Sequence, residues 1–393
     1  MVKFKDNVIK LQFISLLIIP IVPHLDFFLF LHLDDIPVIL FIFLSFFQIF
    51  FSDQKFKLFS NTYSILVFLI YITVQNYFIN RNLIFSDNLR YTFYLFVLIY
   101  VYQFSDKKVI ENSLVPLTLS ISFFSISSYV FEFNLGTDLY DYWNIGLNLN
   151  EWGFTKGRVN GFQAGGPNAL GALIACLTIF SALKVKGNLK YLVIFSGILG
   201  CFFTYSRAAF LTLIIFLTIA FLIRKDYKKL LFILLCLFIT SSYGLVDRFT
   251  SEEETDGIND RIEMQQTTVN NFRNQNVTNL LIGYGYGNIA IVRDEIRPVS
   301  EFSPDLRPTG PHNSYLYIIL NYGIVGLLFF ILIFSKVTLD FVRNFNDYIQ
   351  NPKAWFILSF LFLSLTGDFI QNHSISILLF LLYFLLEKEM IEK

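Results

Sequence analysis

Apolar runs of roughly membrane-crossing length recur from one end of the chain to the other, separated mostly by short polar links. The pattern predicts about twelve helices, near residues 8–24, 36–52, 61–80, 88–105, 113–131, 167–184, 188–204, 207–223, 229–246, 312–334, 354–371 and 373–387. Two polar intervals are much longer than the rest, 132–166 and 247–311. Within the second, Asn259 or Asp260 is a helix cap for the stretch that follows, with Ile262, Val269 and Phe272 on or near one face. The expected fold is an all-α integral membrane protein: one polytopic domain over 1–393, with a partly helical large loop. The N-terminus starts like a signal peptide but shows no small-residue cleavage site, so it reads as an uncleaved first span.

Composition agrees, with 55% hydrophobic and 15% charged residues, a balance a soluble domain does not tolerate. Cys176, Cys201 and Cys236 all fall in apolar runs and read as small core residues. Net charge is zero, but the charges are sorted. With a cytoplasmic N-terminus, alternation puts about 19 basic residues inside and about 11 outside, which satisfies the positive-inside rule. Lysine dominates inside, whereas the outer bases are Arg81, Arg90, Arg158, Arg207, Arg248, Arg261, Arg273, Arg293, Arg297 and Arg307, with Lys156 alone as lysine. Orientation needs only positive charge. Arginine adds a bidentate fork for phosphate oxygens, although drift on solvated loops explains the same bias.

The stretch 311–326 carries the densest chemistry. Pro311 suits a first helical position, which puts His312 and Asn313 in an opening turn whose N–H groups lack partners. Such an end attracts anions and keeps an imidazole neutral, able to take a proton. Gly323 and Gly326 follow on the same helix, where small residues permit close approach. Arg207 sits at the tight link of FFTYSRAAFL, either as a snorkelling boundary residue or as an anion contact beside Ser206. Arg158 opens a glycine-rich entry to the helix at Pro167 and Asn168, either a phosphate nest or an ordinary helix start. GYGYGN lacks the context of a dinucleotide fingerprint and reads as a flexible turn, with Gly285 at its centre and Tyr284 and Tyr286 available to stack on sugars.

Asp34 and Asp35 offer a paired-acid alternative, a base or a metal holder, against the simpler reading of a helix cap. With no DxD, no HExxH and no Cys/His cluster, the sequence gives no support to a metal site, and no cofactor is expected. His24, His32 and His373 read as packing or interface residues.

Four short motifs in order resemble the O-antigen polymerase/ligase family of bacterial envelope enzymes. They are R-x-N-G-F…P-N-x-x-G (Arg158 to Gly171), S-R-A-A (Ser206 to Ala209), an arginine before G-x-G-x-G-N (Arg261, then Gly283 to Asn288) and H-N-x9-G (His312 to Gly323). They cover about the second half of the chain; the first half matches only as a series of spans. The resemblance implies a membrane glycosyltransferase architecture of the O-antigen ligase/GT-C kind. It also implies undecaprenyl-diphosphate-linked glycans as donor and acceptor, handled at the periplasmic face of the inner membrane without a metal. Membrane lipid surrounds it, a chain-length regulator is a further candidate partner, and nothing calls for nucleic acid. His312, Arg207 and Arg261 are the expected catalytic residues. Arg158, Asn168, Ser206, Asn313, Tyr284, Gly285 and Tyr286 are expected to bind substrate. Modest length and a compact outer loop favour the polymerase over the ligase. A flippase for the same lipid is the reading of another class, disfavoured by nearly charge-free span interiors and the lack of a repeat.

Overall fold

The computed structural model describes residues 2–22, 26–28, 31–33, 35–51, 60–84, 86–131, 166–241, 262, 265–266, 268–270, 273–274, 276–286, 312–367, 369–370 and 372–392. The long helices are α1 (Val2–Ile18), α2 (Asp35–Phe51), α3 (Ser60–Asn80), α4 (Ser86–Gln103), α5 (Lys107–Val130), α6 (Gly166–Lys184), α7 (Leu189–Phe203), α8 (Arg207–Ile223) and α9 (Tyr227–Ser241). After them come the short α10 (Val277–Ile282), then α11 (Ser314–Arg343), the short α12 (Phe345–Tyr348), α13 (Pro352–Leu363) and α14 (His373–Glu392). A small antiparallel hairpin, β1 (Asp26–Phe28) with β2 (Leu31–His32), links α1 to α2. Every helix expected from the apolar pattern is present. Thr62–Asn80, Lys107–Val130, Gly166–Lys184 and Ser314–Ser335 are long and apolar enough to cross a membrane, and several other apolar helices are shorter. The fold is that of an all-α membrane protein.

The helices form two groups. In one, α6 is buried along nearly its whole length among α5, α7, α8 and α13. In the other, α14 is buried from Ile375 to Leu386 and packs on α4 and α13, while α3 packs on α4 and α11. Helix α13 touches both groups and joins them. The ends at which α6, α8, α11 and α14 begin lie together at one end of the bundle, the site end. At the opposite end a buried charge network pins four helices: Lys353 Nζ meets Glu111 Oε1 at 2.6 Å and Glu389 Oε1 at 2.8 Å, and Lys184 and Lys107 add to Glu111 and Glu389 respectively.

Two expected helices end differently, and both differences shape the site end. Helix α13 stops at Leu363 rather than near 371. Ser364 and Thr366 turn their hydroxyls back onto the carbonyls of Phe360 and Leu363, and Gly367 follows, so the backbone leaves the helix. Ser359 of α13 meets Cys176 of α6. From that level α6 rises about 12 Å to Asn168 but α13 only about 6 Å to Leu363. Ser364, Leu365 and Gly367 continue beyond the shorter α13.

Helix α11 is broken. Gly323 adopts φ 67° and ψ −172°, a conformation natural only to glycine, about 14 Å along the helix from Ser314. A side chain there would collide with the Leu281 carbonyl at 2.2 Å, and one at Gly283 (φ 76°) with Asn321. The glycines thus let α10 and the following turn dock into the notch, which corrects the expectation of a continuous helix with a merely close-packing face.

Breaking a helix inside a membrane strands its carbonyls, and each needs a donor. Tyr284 N donates to Leu320 O and Gly285 N to Asn321 O. Helix α3 supplies the rest. Gln75 Nε2 donates to both Asn321 O and Ile282 O at 2.8 Å, Tyr71 donates its hydroxyl to Tyr322 O at 2.7 Å, and Asn80 Nδ2 donates to Tyr286 O. Gln75→Leu removes two of these bonds from a buried site, and a buried carbonyl without a donor costs about 1–3 kcal/mol. A clearly lower melting temperature of the detergent-solubilised protein is expected for Gln75→Leu, with the exposed Tyr63→Leu unchanged as control.

Candidate functional site

Arg207 is the first residue of α8, half-buried, with its Nη1 atom buried. It follows a tight turn in which Tyr205 takes φ 58° and Thr204 Oγ1 accepts from Ser206 N at 3.3 Å. The turn lies directly on α6. A Cβ at Gly171 would stand 2.7 Å from both Ser206 Cβ and Thr204 Oγ1, and 3.2 Å from Ala209 Cβ. Gly171, the last residue of the P-N-x-x-G motif, is therefore the seat of the S-R-A-A hairpin. Asn168, partly exposed, lies three residues earlier on that face of α6, toward the level of Arg207. Ser206 is buried in this contact, so its position suits seating Arg207 better than meeting a ligand.

His312 departs from its expected place. It is a bend residue with φ 49°, outside the helix, and Asn313 precedes the first helical residue, Ser314. Arg81, Tyr205 and Lys225, which also have positive φ, each directly follow the last turn of a helix, where that conformation is common. His312 instead precedes one, and several bonds hold the segment there. Ser314 N donates to Ser364 O at 2.9 Å, Ser314 Oγ to Gly367 O at 2.8 Å, and Asn313 Nδ2 to Leu365 O at 3.1 Å. Ile370 N returns to Ser314 Oγ, and Gln265 Nε2 reaches His312 O at 3.5 Å.

The opening turn of α11 is not an open anion site. Asn313 Oδ1 accepts from Tyr315 N and Leu316 N, Tyr317 N bonds Asn313 O, and Ser314 N is spent on Ser364. Asn313, expected to bind substrate, instead commits both ends of its amide to holding the helix start and the neighbouring loop. The fully buried Ser314 is the residue that sequence reading passed over; a serine between an asparagine cap and an apolar helix is its only signal.

Residues 283–286 of the GYGYG segment are docked rather than a free turn. Gly283 and Gly285 (φ 85°) shape it into the α11 notch, and Gly285 sits 2.9 Å, by its missing Cβ, from Ile79. Gly285 therefore serves by backbone geometry. Tyr284 has a buried hydroxyl and Tyr286 packs partly against the core, which leaves less ring surface for stacking than a free turn offers. Among the described residues of 262–273, which include Ile262, Gln265, Gln266, Thr268 to Asn270 and Arg273, the conformation is helical, with Thr268 buried and Ile262 exposed. Asp35 is the first residue of α2. Arg158, Arg261, Asp34 and Asn288 lie outside the described residues.

The structure thus brings Asn168, Ser206 and Arg207 together on α6 and α8, and Tyr284 to Tyr286 together with α11. Just beyond the end of α13, Ser364, Leu365 and Gly367 hold Asn313 and Ser314 at the start of α11. This defines a polytopic helical membrane protein with a polar site at one end of its bundle. Residues 192–331 match the family model described as O-antigen ligase. That match bears out the resemblance drawn from the motifs, and it contains the hairpin of Arg207, the GYGYG turn, His312 and Gly323. It supports a membrane protein that processes glycans in O-antigen biosynthesis. No curated protein shows a match to the chain.

Proposed function

We propose that the protein is a periplasmic-face glycosyltransferase of the inner membrane that polymerises undecaprenyl-diphosphate-linked repeat units into O-antigen or capsular polysaccharide. The acceptor hydroxyl attacks the anomeric carbon of the donor as the bond to the lipid diphosphate breaks. His312 takes the hydroxyl proton, and Arg207 with Arg261 stabilises the departing diphosphate. Asn168 lines the Arg207 side, and Tyr284 and Tyr286 the glycan side; Arg158 is assigned to substrate binding by the motif resemblance alone. One observation carries this reading: Arg207, at the hairpin seated on Gly171, and His312, in a left-handed backbone conformation ahead of α11, stand at the same end of a bundle whose stretch 192–331 matches the family model described as O-antigen ligase. Backbone strain such as that at His312 concentrates where side chains must be aimed.

The break in α11 raises the transporter reading again, because transporters use broken helices to bind substrate. Here the carbonyls of Leu320, Asn321 and Tyr322 each accept a hydrogen bond from the protein, so the notch serves docking of α10. The description of the matching family favours ligation as the second reading. Deleting the gene in its host separates the two. Loss of a polymerase leaves lipopolysaccharide bearing single repeat units, whereas loss of a ligase leaves full-length polymer on the lipid carrier.

Orientation is tested independently. A membrane-impermeant thiol reagent applied from the periplasm is expected to label a cysteine placed at Ser300 and not one at Ser335, near the far end of the α11 span. The reverse pattern would remove the lipid-diphosphate argument.

A further inference from the structure

At the end of the bundle opposite Arg207, the turn from α6 to α7 and the turn from α8 to α9 form one corner, since α9 packs on both α7 and α8. From Lys184 to Lys229 the chain holds a single acid, Asp226. Against it stand Lys186, Lys190, Arg224, Lys225, Lys228 and Lys229. Nearby lysines at this end are matched by acids: Lys184 and Lys353 by Glu111, and Lys107 by Glu389. At the corner Asp226 is taken by Lys229 at 2.6 Å. Among the described residues, Lys186, Lys190, Lys225 and Lys228 have no acid within ion-pair distance.

The corner is held in place. Arg224 donates from Nη1 to Leu183 O at 3.2 Å and from Nη2 to Gln350 O at 2.9 Å, tying the end of α8 to the end of α6 and to the turn before α13. Lys190 Nζ lies 5.8 Å from the ring centre of Phe221, and Lys229 Nζ 5.6 Å from that of Tyr191, which meets Phe232 edge-on. Lys225 takes φ 53°, the position after a helix that glycine or asparagine usually fills, as Gly187 (φ 65°) does in the neighbouring turn. The backbone therefore gives no reason for a lysine there. Orientation in a membrane asks only for positive charge and does not account for a braced set of bases with so little counter-charge.

The surface below selects the ligand. Lys228, Leu231, Leu234, Leu235 and Phe238 follow one another at helical spacing on α9, and all are exposed. From Lys228 to Phe238 this stripe is about 15 Å long, close to half of the ~30 Å hydrocarbon core, which is one leaflet. A base heading an apolar stripe of that length matches a phosphate with an acyl chain beneath it. An acidic protein segment would match the bases alone.

We propose that this corner binds an anionic phospholipid in the leaflet opposite Arg207, with its phosphate at the exposed Lys225 and Lys228, in the field of Lys190 and Lys229, and its acyl chain along the α9 stripe. The site stands whichever reaction the opposite end performs. Because α8 runs from Arg207 to this corner, the lipid anchors the helix that carries Arg207.

The test titrates the full-length protein in detergent with dioleoyl phosphatidylglycerol, dioleoyl phosphatidylcholine and glycerol 3-phosphate, and counts bound ligand by native mass spectrometry. Phosphatidylglycerol is expected to bind about tenfold or more tighter than phosphatidylcholine, and glycerol 3-phosphate not to displace it. Lys225→Asn with Lys228→Gln is expected to abolish that preference. Lys225→Arg with Lys228→Arg keeps both charges and is expected to keep the preference, as is Lys108→Gln with Arg343→Gln, which removes two exposed bases elsewhere. Equal binding of the two lipids by the wild-type protein overturns the proposal, and so does a preference that survives Lys225→Asn with Lys228→Gln. Equal loss in the arginine pair or in the Lys108 and Arg343 pair also overturns it, because the effect is then not one of charge at this corner. Displacement by glycerol 3-phosphate would mean a free-phosphate site, and displacement by poly-glutamate a protein surface; either result overturns the lipid assignment.

Discussion

Replacing His312 with alanine is expected to leave a protein that inserts and accumulates normally while the cells carry only single repeat units. Two features make this a large effect. A positioned general base contributes about 10²–10⁴-fold to a rate. The backbone also invests in the position, because φ 49° is an unfavourable conformation maintained by the bonds of Asn313 and Ser314 to Leu365 and Gly367. The backbone and the imidazole are separated by His312→Asn. Asparagine tolerates the left-handed region well but is no base at neutral pH. Both variants should lose chain extension in a strain lacking the native enzyme. A full ladder of chain lengths from normally expressed His312→Ala would sink the assignment, and a ladder from His312→Asn alone would reduce His312 to a backbone role.

Arg207→Lys is expected to abolish long chains although the charge is kept. The hairpin seat at Gly171 and the turn at Tyr205 fix where the side chain leaves the backbone, and a planar fork uses that fixed direction in a way a rotating ammonium does not. Loss of one charge-assisted contact to a leaving diphosphate costs about 3–4 kcal/mol of transition-state stabilisation, or about 10²–10³ in rate. Chain-length distribution on gels, read beside membrane protein levels, checks the result. Near-normal chains from Arg207→Lys would mean that the arginine merely snorkels at the membrane boundary. Arg293→Lys and Arg297→Lys serve as controls and are expected to change nothing.

By itself the sequence determined the helices, their approximate limits and the family resemblance. Each apolar run must become a helix in a membrane, because no other local structure satisfies its own backbone there. Its short motifs also named Arg207, His312 and the GYGYG segment, since arginine, histidine and clustered glycine are conspicuous in an apolar chain. What the motifs did for one another was not legible. That Gly171 seats Arg207, and that Gly283 and Gly323 meet at one notch, are facts about contacts between distant residues. The break in α11 is invisible to hydropathy, because Ser314–Ser335 reads as one apolar span through Gly323; it exists because α10 and Gln75 supply the donors. The buried lysines read as orientation signals until the fold set Lys353 between Glu111 and Glu389. For the same reason the first half of the chain read as bare spans. Asp87, Arg90 and Gln75 look like ordinary helix-end or interior polar residues, and only the packing of α3 and α4 against α11 gives each a partner and brings the first half to the site.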